Sequence, residues 1–149
     1  MPARWTNRFD AVVNLFSSLG YLGRDGDVGV LREFRRVLRS GRSLIVESAH
    51  RDGFAQPFTR RTWDRLPDGS LYLEERTPDW AAGTIHTHRL IVSPTNERVE
   101  RPYVLHVYSI KEWVEMLHEA GFGEVDAFGD WDGTTPAAPD AWRVVLRAR

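Results

Sequence analysis

A small set of side chains in this 149-residue sequence has the right types and spacing for chemistry. His50 follows the apolar segment Ser43 to Ser48, and an imidazole titrates near neutral pH, so it could act as a base; an exposed loop histidine is the other reading. Tyr21, in a glycine-rich stretch, offers a hydroxyl able to orient a bound group. Asp130-Trp131-Asp132 sets two carboxylates beside an indole, which suits a cationic amine through charge and cation-π attraction. The same residues also suit a turn whose aspartates accept from backbone N–H groups. His86 and His88 are two apart and share a strand face, with His106 on a possible neighbour. No carboxylate at helical spacing completes a known zinc site, so no metal is expected.

Composition narrows the partners. With 20 basic and 21 acidic residues and a formal charge of -1, nothing argues for nucleic acid or an anionic membrane surface, since either needs an excess of Lys and Arg on one face. Cysteine is absent, which excludes disulfides, a thiolate nucleophile and Cys-held metal clusters. The longest apolar runs fall far below the ~20 residues of a membrane helix. Met1 to Arg8 does not lead into a secretory apolar segment, so a reducing, cytoplasmic location is the default expectation. An apolar fraction of 42% is enough for one core, and a single domain over 1–149 is expected.

The elements that would position these side chains can be read from periodicity. Phe9 to Phe16 is a short, branched, apolar run of the kind found in a parallel strand buried on both faces. After the Gly20, Gly23, Gly26 turn, with Asp25 and Asp27 as cap candidates, Val30, Leu31, Phe34, Val37 and Leu38 mark one face of a helix that Ser40-Gly41 would stop. Ser43 to Ser48 is the next buried strand, and strand-helix-strand of this length forces a parallel pair. His50 to Pro67 loses periodicity and reads as an irregular connection. Leu71 to Thr77, Thr84 to Val92 and Tyr103 to Tyr108 alternate between turn signals, giving a three-stranded antiparallel meander inserted at about 68–108. Ser109-Ile-Lys-Glu112 is a capping box for a helix with Ile110, Trp113, Val114, Leu117 and Ala120 inward and Gly121 at its end. Glu124 to Phe128 and Trp142 to Leu146 are the last strands. In an open α/β sheet the working crevice lies at the carboxyl ends of the parallel strands. That rule selects Asn14, Leu15, Phe16, Ser17 and Tyr21 from the first strand and its loop. It adds Glu47, Ser48 and His50 from the second, and Asp130, Trp131 and Asp132 near the end.

The run Phe9-Asp-Ala-Val-Val-Asn-Leu-Phe-Ser-Ser-Leu-Gly-Tyr-Leu22, the helix ending Val37-Leu-Arg-Ser-Gly41 and the strand Ser43 to Glu47 resemble the class I S-adenosylmethionine-dependent methyltransferases. Ser40 and Arg42 stand where that family's turn carries Pro and a second Gly. The helix ending Glu119-Ala-Gly-Phe122 and the two strands after it fit the family's closing hairpin, and the insert is like that of small-molecule N- and O-methyltransferases. The resemblance implies a partial Rossmann-like α/β sheet with an antiparallel insert, and methyl transfer from S-adenosylmethionine to nitrogen or oxygen of a small molecule. It places the backbone at Asn14 and Leu15 against the methionine part of the cofactor, with Phe16 and Leu19 nearby; both apolar residues equally suit a core. Ser17, Glu47, Asp130 and Trp131 are then candidates for the acceptor's site, and His50 and Tyr21 for base and orienting hydroxyl.

The family's first strand, its Gly-rich loop and two acidic cofactor contacts have no counterpart here. Gly121-Phe-Gly123 follows a helix and is a cap by position. The resemblance is therefore to the carboxyl-terminal part of a methyltransferase, from its fourth strand onward, expected to be inactive alone. The alternative is a non-catalytic remnant or interaction module. Either way the Phe9 to Asn14 strand would have a bare edge, and a homodimer or swapped assembly covering it is expected.

Overall fold

The structure, a computed structural model, describes residues 1–55 and 58–149. Strand β1 (Phe9–Asn14) leads through a loop to helix α1 (Gly23–Val37) and strand β2 (Leu38–Ala49), followed by the one-turn helix α2 (Arg51–Phe54). Strands β3 (Arg61–Arg65), β4 (Leu71–Asp79), β5 (Thr84–Val92), β6 (Arg98–Glu100) and β7 (Tyr103–His106) form the insert. Helix α3 (Ile110–Glu119) and strands β8 (Val125–Phe128) and β9 (Arg143–Ala148) complete the chain. The first sheet has the order β1-β2-β9-β8, with β1 and β2 parallel and the other pairs antiparallel. This is the expected α/β frame.

Helix α1 forms because Val28, Leu31, Phe34 and Val37 recur at helical spacing and bury one stripe, while Arg32, Glu33, Arg35 and Arg36 remain outside. Helix α3 starts at the expected capping box: Ser109 Oγ accepts from the Glu112 amide, and the Glu112 carboxylate accepts from the Ser109 amide at 2.7 Å. Its Trp113, Met116 and Leu117 meet Val28, Leu31 and Phe34 of α1 over Leu44, Val46, Val144 and Leu146 of the sheet, and this is the core.

Four readings of the sequence are corrected. The strand buried on both faces is β2, which has a neighbour on each side; β1 has the expected bare edge among the described residues but is not buried, with Val13 55% exposed. Ser40-Gly41 does not stop α1, which ends at Val37; it forms an irregularity inside β2, where Phe9 pairs with Leu38 but Ala11 with Ser43 and Gly41 takes a positive φ of 71°. Neither Asp25 nor Asp27 caps α1. Asp27 is buried and accepts from the Tyr108 hydroxyl at 2.6 Å, tying the helix to the approach to α3. The insert has five strands rather than three, because the supposedly irregular connection contains β3, which pairs antiparallel with β4 from Arg61↔Glu75 to Arg65↔Leu71, and the stretch before Tyr103 contains β6, which pairs with β5. Gln56 and Pro57 of that connection lie outside the described residues.

One face of the insert is organised around Glu74. Its buried carboxylate accepts from the Tyr72 hydroxyl at 2.6 Å, from Arg89 Nε at 2.9 Å, from the Tyr103 hydroxyl at 3.2 Å and from Arg76. Burial alone would raise its pKa, but the hydrogen bonds from Tyr72, Arg89 and Arg76 prevail and bring it from 4.5 to about 2. A depressed carboxyl pKa stabilises the fold fully above the unfolded value of 4.5, and that stabilisation is lost as pH falls towards about 2. Glu74→Gln is therefore expected to cost about 2 kcal/mol at pH 7. In urea melts the gap between wild type and variant should close between pH 4.5 and 2; a gap independent of pH would refute this account of Glu74. No helix among the described residues is long and apolar enough to cross a membrane.

Candidate functional site

Beyond Asn14 the chain turns sharply, with Phe16 at φ 56° and Ser17 at φ 50°. Two consecutive non-glycine residues in the left-handed region cost on the order of 1–2 kcal/mol each, so the surroundings must hold them there. The end of β2 does this. The Phe16 amide donates to Glu47 Oε2 at 2.6 Å, the Ser17 amide to the Glu47 carbonyl at 3.3 Å, and the Ala49 amide to Ser17 Oγ at 2.9 Å. The turn leaves the Phe16 ring 87% exposed at the carboxyl ends of the two parallel strands.

The other wall comes from the loop between β8 and β9. Leu15, Phe16 and Glu47 face Trp131, Trp142 and Arg143 around a pocket of about 170 Å³. The rings of Phe16, Trp131 and Trp142 are all exposed, and the Glu47 carboxylate lies almost wholly buried among them. Arg143 bonds Asp130 at 3.3 Å and stands 5.4 Å from the Trp142 ring centre, so Asp130 answers its charge. An aromatic wall with an acidic floor suits a cation with apolar substituents.

Of the residues singled out from the sequence, Leu15, Phe16, Glu47 and Trp131 are brought together here. Asn14 stands at the end of β1 with its Oδ1 buried and without a partner among the described residues. Ser17 spends its hydroxyl on the turn. Leu19 is in the core, 5% exposed, beside Leu31 and Tyr108. Asp130 is engaged by Arg143 and by the Trp131 amide, and Asp132 accepts from the Thr134 and Thr135 amides and the Thr135 hydroxyl. Those bonds, the Thr135 hydroxyl first, hold the Asp132 carboxyl well below the usual range, so the turn reading is the structural one for Asp132.

His50 matches neither expectation. Its side chain is fully buried, neither exposed on a loop nor open to the crevice, and both ring nitrogens lack a hydrogen-bond partner among the described residues. Burial pushes its pKa below the ordinary value, which keeps the imidazole neutral. Its amide donates to the Trp142 carbonyl at 3.3 Å, so its contribution to the pocket is to anchor one of the indoles.

Tyr21 lies at the other end of the Phe16 loop, where its ring is 5.6 Å from that of Tyr103 in the insert. Gly20 makes this approach possible. At φ 108° its carbonyl accepts from the His106 amide at 2.7 Å, and a Cβ there would sit 2.4 Å from the His106 carbonyl oxygen. His88 pairs with Glu100 at 3.2 Å, and no group of three potential ligands gathers for a metal among the described residues. Trp142 and Arg143 were missed by sequence reasoning. The only signal was the position of Trp142 at the start of a strand whose partner in the sheet is β2.

A parallel β1/β2 pair, antiparallel β9 and β8 beyond it, helices α1 and α3 on one face and an inserted antiparallel sheet form a partial Rossmann-like α/β fold like that of S-adenosylmethionine-dependent methyltransferases. Solved structures agree. The CcbJ methyltransferase from Streptomyces caelestis superposes with a TM-score of 0.73 at 24% identity, over 96% of this chain and 57% of that one. An S-adenosylmethionine-dependent methyltransferase from Clostridium acetobutylicum gives 0.77 at 11% identity, over 96% and 58%. The amino pentose methyltransferase CalS10 from Micromonospora echinaspora, involved in calicheamicin biosynthesis and solved with S-adenosylmethionine bound, gives 0.65 at 17%, over 95% and 58%. At these identities the likeness is one of fold, and the chain spans less than three fifths of each of these structures. No protein-family model and no curated protein matches the sequence.

Proposed function

We propose that this chain serves methyl transfer from S-adenosylmethionine to nitrogen or oxygen of a small molecule, and contributes the β1/β2 side of the site. The observation that carries the reading is the pocket formed by Phe16, Trp131 and Trp142 around the Glu47 carboxylate at the carboxyl ends of the parallel strands. S-adenosylmethionine supplies a methyl group on a positively charged sulfur. The aromatic faces and Glu47 are suited to hold a cation with methyl substituents, and the Asn14 Oδ1 to accept from a donor beside it. In-line methyl transfer asks the protein mainly to align the reacting atoms, and the strained Phe16-Ser17 turn, stitched to β2, is a rigid support for that. A cytoplasmic setting accords with the absence of cysteine.

Trimethylsulfonium titrated into the labelled chain is expected to shift the indole N–H signals of Trp131 and Trp142. Glu47→Gln keeps an acceptor for the Phe16 amide but removes the charge, and should weaken that binding about tenfold, ~1.4 kcal/mol. S-adenosylhomocysteine should shift the same indoles. Calorimetric affinity tighter than about 1 mM would show a self-sufficient site, and weaker binding at those indoles a partial one. Indoles unmoved by both compounds would overturn the reading.

A second reading, an assembly module, is favoured by the edge of β1. Among the described residues its outer backbone groups face no strand, and Phe9 and Val13 are exposed on it. We propose that a second copy pairs with it. An antiparallel two-fold centred between Ala11 and Val12 sets Asp10, the strand's one charge, opposite Val13, so no like charges meet. Sedimentation at micromolar concentration should show a dimer that Val13→Lys abolishes; a monodisperse monomer would reject it.

A further inference from the structure

Three arrangements on the insert converge beside the crevice loop. Strand alternation puts Tyr72, Glu74 and Arg76 of β4 on one face with Thr87 and Arg89 of β5 and Tyr103 of β7, as the register Glu74↔Arg89, Arg76↔Thr87 and Thr87↔Tyr103 requires. Tyr21 packs on Tyr103 from the loop that carries Phe16 at its other end, so that loop links this face of the insert to the crevice. The Arg89 guanidinium lies 4.8 Å from the Tyr103 ring centre and 5.1 Å from that of Tyr72, and its Nη2 bonds the Tyr103 hydroxyl at 3.2 Å.

The charges do not balance. Arg76 and Arg89 both serve one carboxylate, Glu74, which leaves the cluster with a net positive charge. Tyr72 and Tyr21 stay neutral: burial first, then the bond to Glu74, pushes Tyr72 up to about 12, and burial also raises Tyr21. Asp64, which opposes Tyr72 across β3 and β4, is exposed and accepts from the Arg65 amide. Arg76 spends one Nη on Glu74, and Arg89 its Nε and Nη2. The remaining N–H groups of both guanidiniums have no protein partner among the described residues. Their side chains are 26% and 30% exposed, so both arginines reach solvent in part. A network built only to hold the sheet would need one arginine. A guanidinium fixed between two rings, with donors to spare, is preorganised for an oxyanion.

We propose that Arg76 and Arg89, flanked by Tyr21 and Tyr103, bind an anionic group, carboxylate or phosphate, on the small molecule that accepts the methyl group. The identification of that molecule as an acceptor rests on the function proposed above; the anion site itself does not. The acceptor class is then an acid-bearing small molecule, held by its anion at the insert while its reacting atom faces the Phe16 end of the loop.

The test uses the whole labelled chain with benzoate, inorganic phosphate and uncharged benzamide as probes. Benzoate or phosphate should shift the Tyr21 and Tyr103 amides and the Arg89 Nε–H signal with millimolar affinity, and benzamide should not. A response to benzoate alone assigns a carboxylate, and a response to phosphate a phosphoryl group. Arg76→Gln, which leaves the Arg89–Glu74 pair intact, should weaken anion binding at least about fivefold. Glu74→Gln should strengthen it, since it releases both guanidiniums; a merely structural network would show no gain. Silence up to about 20 mM, equal shifts from benzamide, or weaker binding in Glu74→Gln would overturn the proposal. If anions bind here while trimethylsulfonium leaves Trp131 and Trp142 unmoved, the anion site stands and its link to a methyl acceptor falls.

Discussion

Replacing Trp113 by alanine is expected to remove about 3–5 kcal/mol of stability, enough to unfold a domain of this size at moderate temperature. Trp113 is 1% exposed and packs edge-on against Tyr108, ring centres 5.2 Å apart, where α1, α3 and the first sheet meet. Both helices depend on it, because neither buries its stripe without the other. The indole also carries a cost of its own, since its Nε1 is buried without an acceptor among the described residues. Trp113→Phe should therefore stay within about 1 kcal/mol of wild type, as the lost area is offset by removal of an unsatisfied donor. Urea melts at constant m-value separate the two substitutions. A loss below about 1 kcal/mol for the alanine variant would show that the core closes around the gap and that Trp113 does not organise it.

Gly53→Ala is expected to have the largest effect on the pocket without touching it. A Cβ at Gly53 would stand 1.7 Å from the Ala141 carbonyl oxygen and 2.9 Å from His50 Nε2. Neither neighbour can swing aside, because one is backbone and the other a fully buried ring. Helix α2 and the segment before β9 must separate, at about 2–3 kcal/mol. The bond from the His50 amide to the Trp142 carbonyl lies in that same contact, so Trp142 should lose its place. The expected result is a large shift of the Trp142 indole signal and loss of trimethylsulfonium binding, with the Glu74 cluster unchanged. An unperturbed Trp142 would mean that the indole is positioned from the β9 side alone.

The α/β frame was legible because its signals are local and repeated. The stripe Val28, Leu31, Phe34, Val37 and the Ser109/Glu112 box each lie within one element, and the β1-α1-β2 order leaves only a parallel pairing. Strand β3 was not legible. Its burial pattern shows only Thr62 half-buried, so it has no apolar alternation, and it is a strand because β4 supplies the hydrogen bonds. The reading of β1 as buried on both faces failed for a related reason. An apolar run records what a strand can bury, not whether anything lies beside it.

In the site the division is similar. Sheet topology, legible from the order of elements, was enough to place Leu15, Phe16 and Glu47 at the carboxyl ends of parallel strands, because strand direction alone sets which end is which. Burial and charge pairing depend on residues distant in sequence, and no local pattern carries them. The packing of α2 against the 138–142 segment put His50 inside rather than at the surface. Pairing with Arg143 took Asp130 out of service as a free carboxylate. Folding of the 129–142 loop set Trp142 opposite Phe16, and β4, β5 and β7 in register turned Glu74 and two arginines into one charged cluster on the insert.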